Sequence, residues 1–287
     1  MNPFDLHGFA FLGFYAALGV GLLFTLRWWM NQDYDDERIG AAAREMAQDP
    51  YSIAYLRGGT AEAAKITTVS LVDRGLLTFD ANSRKLKTER EALQMVRRPI
   101  ERAVLKLYLE PQTAWQYLAP PVHASCEEYR REFVRHGLMP DAKALTQRWL
   151  LALAIVACLA GTAAAKVHIA LQEGRHNIGF LVVLAAFFLL LALRMPFRRT
   201  SGRGKAVLDD LRVLFGRLKE RSDAIAPGGA SNEAILLAAV FGLTALPTQN
   251  FPFVTQIYPA PSGGGDGGGS DGGGGGCGGG CGGGCGG

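Results

Sequence analysis

The chain has 287 residues, of which 48% are hydrophobic and 20% are charged, and its formal net charge is +4. Arginines beside apolar runs account for this small positive excess, so it gives no evidence of nucleic-acid binding. The apolar residues are unevenly spread, and their longest runs have the length of membrane spans. The composition therefore favours an integral membrane protein.

Three uncharged apolar runs predict transmembrane helices. The first, residues 8–26, is nineteen residues long, which is enough to cross about 30 Å of hydrocarbon. Residues 149–165 and 178–193 are shorter, but basic side chains at their edges can extend to the interface. Residues 166–177 then form a tight loop between the second and third spans.

Basic residues at the ends of these runs predict the orientation. Arg27 follows the first run, Arg148 precedes the second and Arg194 follows the third, so these ends face the cytoplasm by the positive-inside rule. The N-terminus and the loop of residues 166–177 then lie outside, as expected for a multi-pass protein of a bacterial inner membrane. The first run could instead be a cleaved signal peptide, although residues 1–7 lack lysine and arginine.

Residues 31–147 predict a cytosolic domain with a winged-helix-like α+β fold. Caps and turns indicate its elements. These are a helix from Asp49-Pro50, a break at Gly58-Gly59, a helix Ala61–Arg74 capped by Gly75, and a hairpin of Leu76–Phe79 and Lys85–Lys87.

The second half of this domain repeats part of the predicted order of helices and turns. Pro99 opens a helix, and Ser125 with Glu128 has the pattern of a capping box that opens another. The strings Val72–Leu77 and Val134–Met139 align without gaps. This match leaves open a duplicated domain.

A winged helix can bind DNA or a protein partner. The predicted recognition helix has no series of Asn, Gln or Arg side chains to read base edges, whereas Arg84, Lys85 and Lys87 in the hairpin could contact phosphate. We favour a protein partner, with DNA binding as the less favoured alternative.

Residues 204–246 follow the third run and predict cytosolic or interfacial helices. Residues 204–221 are typical of an amphipathic helix that lies on the inner leaflet or packs on the soluble domain. Ala234–Leu246 is apolar but ends at Pro247 after thirteen residues, so we expect a surface or core helix. A fourth span is the alternative, and it would place the C-terminal tail outside.

The sequence contains no catalytic motif that we recognise. It lacks a G-x-S-x-G string, an H-E-x-x-H string and a P-loop, and its histidines are scattered. We therefore predict that the chain is not an enzyme. Cys126 lies beside a predicted helix N-terminus, which would lower a thiol pKa, but an inert half-buried cysteine is the favoured interpretation.

The C-terminal tail, residues 262–287, is predicted to be a disordered thread. Residues 263–287 contain nineteen glycines, and Cys277, Cys281 and Cys285 are spaced four apart. The thiols could be incidental to a low-complexity expansion, could bind a soft metal such as Cu(I) or Zn(II), or could be the substrate of a tail-modifying enzyme. No cofactor other than such a metal is predicted.

The string D-P-Y-S-I-A-Y-L-R-G-G at residues 49–59, the string L-V-D-R-G-L-L at 71–77 and the Gly/Cys tail resemble an uncharacterised family of bacterial membrane proteins. That family is named for a domain near a low-complexity, or "uncomplex", C-terminal region. Its genes are sometimes neighbours of genes for multinuclear iron oxidases that modify peptide cysteines. This association fits the function that we expect, a membrane-anchored scaffold that presents its tail to a modifying enzyme or for soft-metal capture. The alternative is a membrane-bound regulator or adaptor that uses the winged-helix domain to bind a protein partner or DNA.

Overall fold

The computed structural model describes residues 8–30, 45–46, 48–114, 119–172, 179–195, 200–228 and 232–259. Over these ranges the chain is mainly helical, as predicted, and it has a small antiparallel sheet with the strand order β1-β2-β3. The elements are α1 (Gly8–Met30), α2 (Pro50–Asp73), β1 (Leu77–Asp80), β2 (Lys85–Thr88), α3 (Ala92–Met95), α4 (Pro99–Leu107), β3 (Gln112–Thr113), α5 (Pro120–Arg135), α6 (Ala142–Gln172), α7 (Gly179–Arg194), α8 (Gly202–Leu214), α9 (Gly216–Glu220), α10 (Glu233–Phe241) and α11 (Pro252–Ile257), with 3-10 turns at Ser222–Ala224 and Leu243–Ala245.

Two of these helices are long and apolar enough to cross a membrane. Helix α1 contains the stretch Ala10–Trp29 and helix α6 contains Ala142–Ala170, with mean hydropathies of 1.6 and 2.1. Helix α7 is also apolar but has only 16 residues. Large apolar side chains on α1 and α7 point outward, including Phe24, Val183 and Leu190. A hydrocarbon environment would cover such side chains.

The second predicted span lies inside a longer helix. Helix α6 extends beyond residues 149–165 at both ends, so the predicted loop at 166–177 is helical as far as Gln172. Residues 173–178 lie outside the described ranges. The extension is expected in physical terms, because no glycine or proline interrupts the chain between Lys166 and Gln172.

Helices α1, α6 and α7 pack on one another through a shared apolar cluster. The Tyr15 hydroxyl of α1 donates to the Leu159 carbonyl of α6 at 3.0 Å, which satisfies a polar group among apolar side chains. Gly19 allows α1 and α7 to approach closely, because a Cβ at this position would lie 2.8 Å from the Phe188 ring. The contacts therefore include both a polar link and close backbone packing.

Helix α2 begins and ends as the sequence predicts. The Asp49 carboxylate accepts a hydrogen bond from the Tyr51 amide at 3.0 Å, and Pro50 occupies the first turn. Gly59 breaks the helix with φ 73° and ψ −160°, and Gly75 ends it with φ 70°. Residues on every face of the segment between these glycines are buried, so it is the central helix of the domain.

The two strings that align in the sequence are the C-terminal caps of α2 and α5. Leu76 donates to the Leu71 carbonyl and Leu138 donates to the Phe133 carbonyl, each at 2.8 Å, so both helices end in a Schellman motif. The chain then enters strand β1 in the first case and continues toward α6 in the second. The aligned strings therefore end two helices in the same way, and the duplicated domain stays a prediction.

The predicted capping box at Ser125 and Glu128 is wrong. Helix α5 begins one and a half turns earlier, at Pro120, and the Ser125 hydroxyl donates to the Val122 carbonyl within the helix. Two consecutive prolines, Pro120 and Pro121, are compatible with a first helical turn, where the amide of a residue is not needed.

Helix α10 completes the core of the domain. It packs against α2, and Leu237, Ala238 and Ala239 are fully buried in a cluster that also contains Ile66 and Val69 of α2. The stretch Ala234–Leu246 therefore contributes a buried core element of the domain. Helix α8 packs on the same core through Val207, Leu208 and Leu211, which places the predicted amphipathic helix on the domain.

The chain re-enters the domain beside the point where it leaves toward α6. Ser201 donates from its amide to the Leu138 carbonyl at 3.0 Å and from its hydroxyl to the Gly137 carbonyl at 2.7 Å. The same hydroxyl oxygen accepts from the Gly204 amide at 3.1 Å and caps α8. This junction holds together the two chain segments that flank α6 and α7.

The junction has no space for a side chain at residue 204. A Cβ on Gly204 would lie 2.2 Å from the Leu138 carbonyl oxygen, so we predict that Gly204→Ala lowers the free energy of unfolding by about 1–3 kcal/mol. In an unobstructed helix the same change would be stabilising. Thermal unfolding of the full chain in detergent measures the effect. Gly216→Ala is the matched control, because nothing lies within 4 Å of its added Cβ. Equal melting temperatures for the two variants would contradict the close contact.

Candidate functional site

The cysteines predicted to carry the function lie outside the described ranges. Cys277, Cys281 and Cys285 all fall beyond residue 259. Within the part of the chain that the structure describes, no group of three or more His, Cys, Asp or Glu side chains is placed to hold a metal ion. The predicted tail site therefore stays a prediction.

Cys126 is a buried side chain in the second turn of α5. Burial raises the pKa of its thiol to about 11, although Ser125 and Thr60 hydrogen-bond to it and oppose this shift. A helix N-terminus lowers a thiol pKa only when the thiol lies near it and is partly exposed, and Cys126 is 1% exposed. The inert interpretation of this cysteine fits its surroundings.

A cleft of about 300 Å³ lies where α2, the segment before α4 and the beginning of α10 meet. Its lining combines three arginines, a buried glutamate, two hydroxyl groups and a few apolar side chains. The lining residues are Pro50, Tyr51, Ser70, Arg74, Met95, Arg97, Arg98, Glu101, Asn232 and Ile235. We call this site the arginine cleft.

Glu101 is the buried centre of the floor of the arginine cleft. Its Oε1 accepts from the Tyr51 hydroxyl at 2.8 Å and from the Arg74 guanidinium at 2.7 Å. The Tyr51 hydroxyl also lies 3.0 Å from the Ser70 hydroxyl. Burial raises the pKa of Tyr51 far above its usual value and the Glu101 carboxylate raises it further, so the tyrosine stays protonated as a donor.

A second ion pair borders the cleft. The Arg98 guanidinium pairs with the Asp49 carboxylate, and its Cζ lies 5.0 Å from the centroid of the Tyr51 ring. Asp49 also caps α2, so one carboxylate both begins the helix and positions Arg98. This arrangement orients the guanidinium through charge, stacking and a helix cap together.

The arginine cleft presents hydrogen-bond donors and carries a positive formal charge. Its lining contributes three guanidinium groups and one carboxylate, which gives a formal excess of two positive charges, or one when Asp49 beside Arg98 is included. Sequence reasoning missed the site, because its residues come from four separate stretches of chain. The adjacent pair Arg97-Arg98 before Pro99 was the one local signal.

Comparisons with known proteins add no identification: no protein family, no curated protein and no solved structure matches the chain. The family resemblance therefore rests on the quoted strings and the tail alone.

A substitution of Arg74 tests the ion pair that it forms with the buried Glu101 carboxylate in the arginine cleft. Arg74→Met leaves Glu101 without its charged partner, so we predict a loss of about 2 kcal/mol in the free energy of unfolding. Glu101→Gln in the same background should restore part of this loss, because a neutral amide needs no counter-charge. Thermal or denaturant unfolding measures both variants, with Arg90→Met at an exposed position as the control. A double variant no more stable than Arg74→Met would contradict the proposed pairing.

Proposed function

We propose that this protein is a membrane-anchored scaffold that presents Cys277, Cys281 and Cys285 on a glycine-rich tail. The tail is offered to an enzyme that modifies cysteine thiols or to a soft metal ion, and the chain itself is not the catalyst. The observation that carries this proposal is the attachment of the tail. The last described helix, α11, is fixed in the core of the domain immediately before the glycine-rich segment begins.

The attachment is made by apolar packing and by hydrogen bonds. Phe251, Val254 and Ile257 of this segment are buried in the apolar clusters of the domain. The Asn250 side-chain amide donates to the Ile225 carbonyl at 2.8 Å and ties the beginning of α11 to the domain. A thread of about 25 glycine-rich residues has a root-mean-square reach of roughly 25–30 Å, so the thiols would sample a defined zone around this point.

The proposed topology has three spans in a bacterial inner membrane, with the N-terminus outside and the domain and tail in the cytoplasm. Arg27, Arg148 and Arg194 support it by the positive-inside rule. Trp28 and Trp29 at the end of α1 add the aromatic residues typical of an interface. Helix α7 is short for a span, but a terminal arginine can extend to the interface from about 24 Å of helix.

The glycine-rich sequence around each thiol supports the proposal that the tail cysteines are the substrate of another enzyme. Glycine has no side chain to obstruct entry of an extended segment into the active site of another enzyme. Three thiols on such a segment form no preorganised metal site, so the affinity of the unmodified tail for Cu(I) or Zn(II) should be modest.

The alternative is a membrane-bound regulator or adaptor with a winged-helix domain. The two halves of α2 on either side of Gly59, followed by the hairpin of β1 and β2, have the order that this alternative requires, and Arg84, Lys85 and Lys87 in the hairpin are exposed. DNA binding is the less favoured form, because the recognition helix would be the buried second half of α2. Lys65 on that helix pairs with Glu62 at 3.2 Å.

Reporter fusions test the topology. A reporter that is active only in the periplasm should be silent when fused after Ser262 and active when fused within residues 173–177. The reason is that α10 is buried in the domain and does not carry the chain across a bilayer. Activity of the Ser262 fusion would contradict both the orientation and the cytoplasmic tail.

The mass of the native protein tests the function of the tail. We expect added mass or bound metal that is confined to residues 262–287 and is absent when Cys277, Cys281 and Cys285 are replaced by serine. Intact mass spectrometry detects a covalent change, and elemental analysis of the native protein detects copper or zinc. Asp266→Asn with Asp271→Asn is the matched control, because it alters the tail but keeps its thiols. If both the parent and the triple serine variant have the mass calculated from their sequences and the same metal content, the cysteines would be left without a role.

A further inference from the structure

We propose that the arginine cleft is a binding site for an anionic group, a phosphate or carboxylate carried on a small apolar body. This inference goes beyond the proposed function of the tail. It rests on the cavity and on the three guanidinium groups around it, whose charge is not fully balanced by Glu101 and Asp49, the neighbouring carboxylates in the described ranges.

The guanidinium groups of the arginine cleft have N–H donors that their ion pairs with Glu101 and Asp49 do not use. Arg74 contacts Glu101 through one terminal nitrogen, and Arg98 contacts Asp49 through one terminal nitrogen. A guanidinium has five N–H donors, so both groups can also bind an anion. Arg97 is exposed and makes no ion pair within the described ranges, which leaves its whole fork available.

The ends of three helices add to the positive potential. Residues of the first turns of α2, α4 and α10 line the cleft, and the positive ends of helix dipoles lie at such turns. Arg98 and Asn232 precede α4 and α10 without a side-chain hydrogen bond to the first turn. The backbone donors of these two turns therefore remain without a capping side chain.

The size and the walls of the cleft restrict the ligand class. About 300 Å³ is at the small end of ligand sites and suits a small molecule or a lipid headgroup. Pro50, Met95 and Ile235 provide apolar contacts beside the arginines. A ligand with an anionic group on a short apolar body matches both the arginines and the apolar side chains of the cleft. Such a ligand is either a soluble metabolite or the headgroup of a phospholipid.

The test uses the full chain in nanodiscs of phosphatidylcholine, which has no net charge. Isothermal titration calorimetry with hexyl phosphate should detect binding, whereas hexanol, which has the same apolar body without the anion, should not bind. Arg97→Gln should weaken hexyl phosphate binding by about tenfold or more. The matched control Arg90→Gln, at an exposed arginine outside the cleft, should bind like the parent. Neither arginine makes an ion pair in the described ranges, so both variants should keep the melting temperature of the parent.

A second arm identifies the source of the anion. If a lipid headgroup is the ligand, nanodiscs of phosphatidylglycerol should raise the melting temperature of the parent and of Arg90→Gln more than that of Arg97→Gln. If the ligand is soluble, hexyl phosphate should show the Arg97 dependence in phosphatidylcholine nanodiscs. Either result supports the site. Absence of an anion effect in both arms, or an effect equally strong in Arg97→Gln, would overturn it.

Discussion

The packing of α10 against α2 is the interaction on which the rest of the domain depends. It joins segments that lie on opposite sides of the two apolar helices α6 and α7 in the chain, and it buries Leu237, Ala238 and Ala239 completely. Burial of apolar surface is the main favourable term in folding, so this contact stabilises a core that neither segment contains alone. The Ser201 junction closes the same core next to α6.

Both parts of the functional proposal follow from this packing. Because α10 lies on α2, its first turn brings Asn232 and Ile235 to the arginine cleft, which otherwise would be an open surface of α2 and α4. Because α11 follows α10 into the core, the tail begins at a fixed point of the domain. A change in this contact would therefore affect the anion site and the position of the thiols together.

Local rules predicted the elements whose ends depend on neighbouring residues. Asp49-Pro50 and Gly75 located α2, and the predicted strands Leu76–Phe79 and Lys85–Lys87 located the hairpin of β1 and β2, because caps and turns are set within a few residues. The capping pattern at Ser125 was misleading, since Pro120 begins the helix earlier. The arginine cleft was not predictable in the same way, because it forms only when distant segments pack, and the predicted tail cysteines lie outside the described ranges.

Hydrogen exchange of the full chain tests the shared core most directly. Leu237→Ala removes a fully buried side chain of α10 and should cost roughly 2–5 kcal/mol. If α10 and α2 form one cooperative core, the amides of residues 60–73 should exchange faster in this variant than in the parent, whereas Val213→Ala at an exposed position should leave them unchanged. Faster exchange confined to residues 233–241, with α2 protected as in the parent, would contradict the shared core.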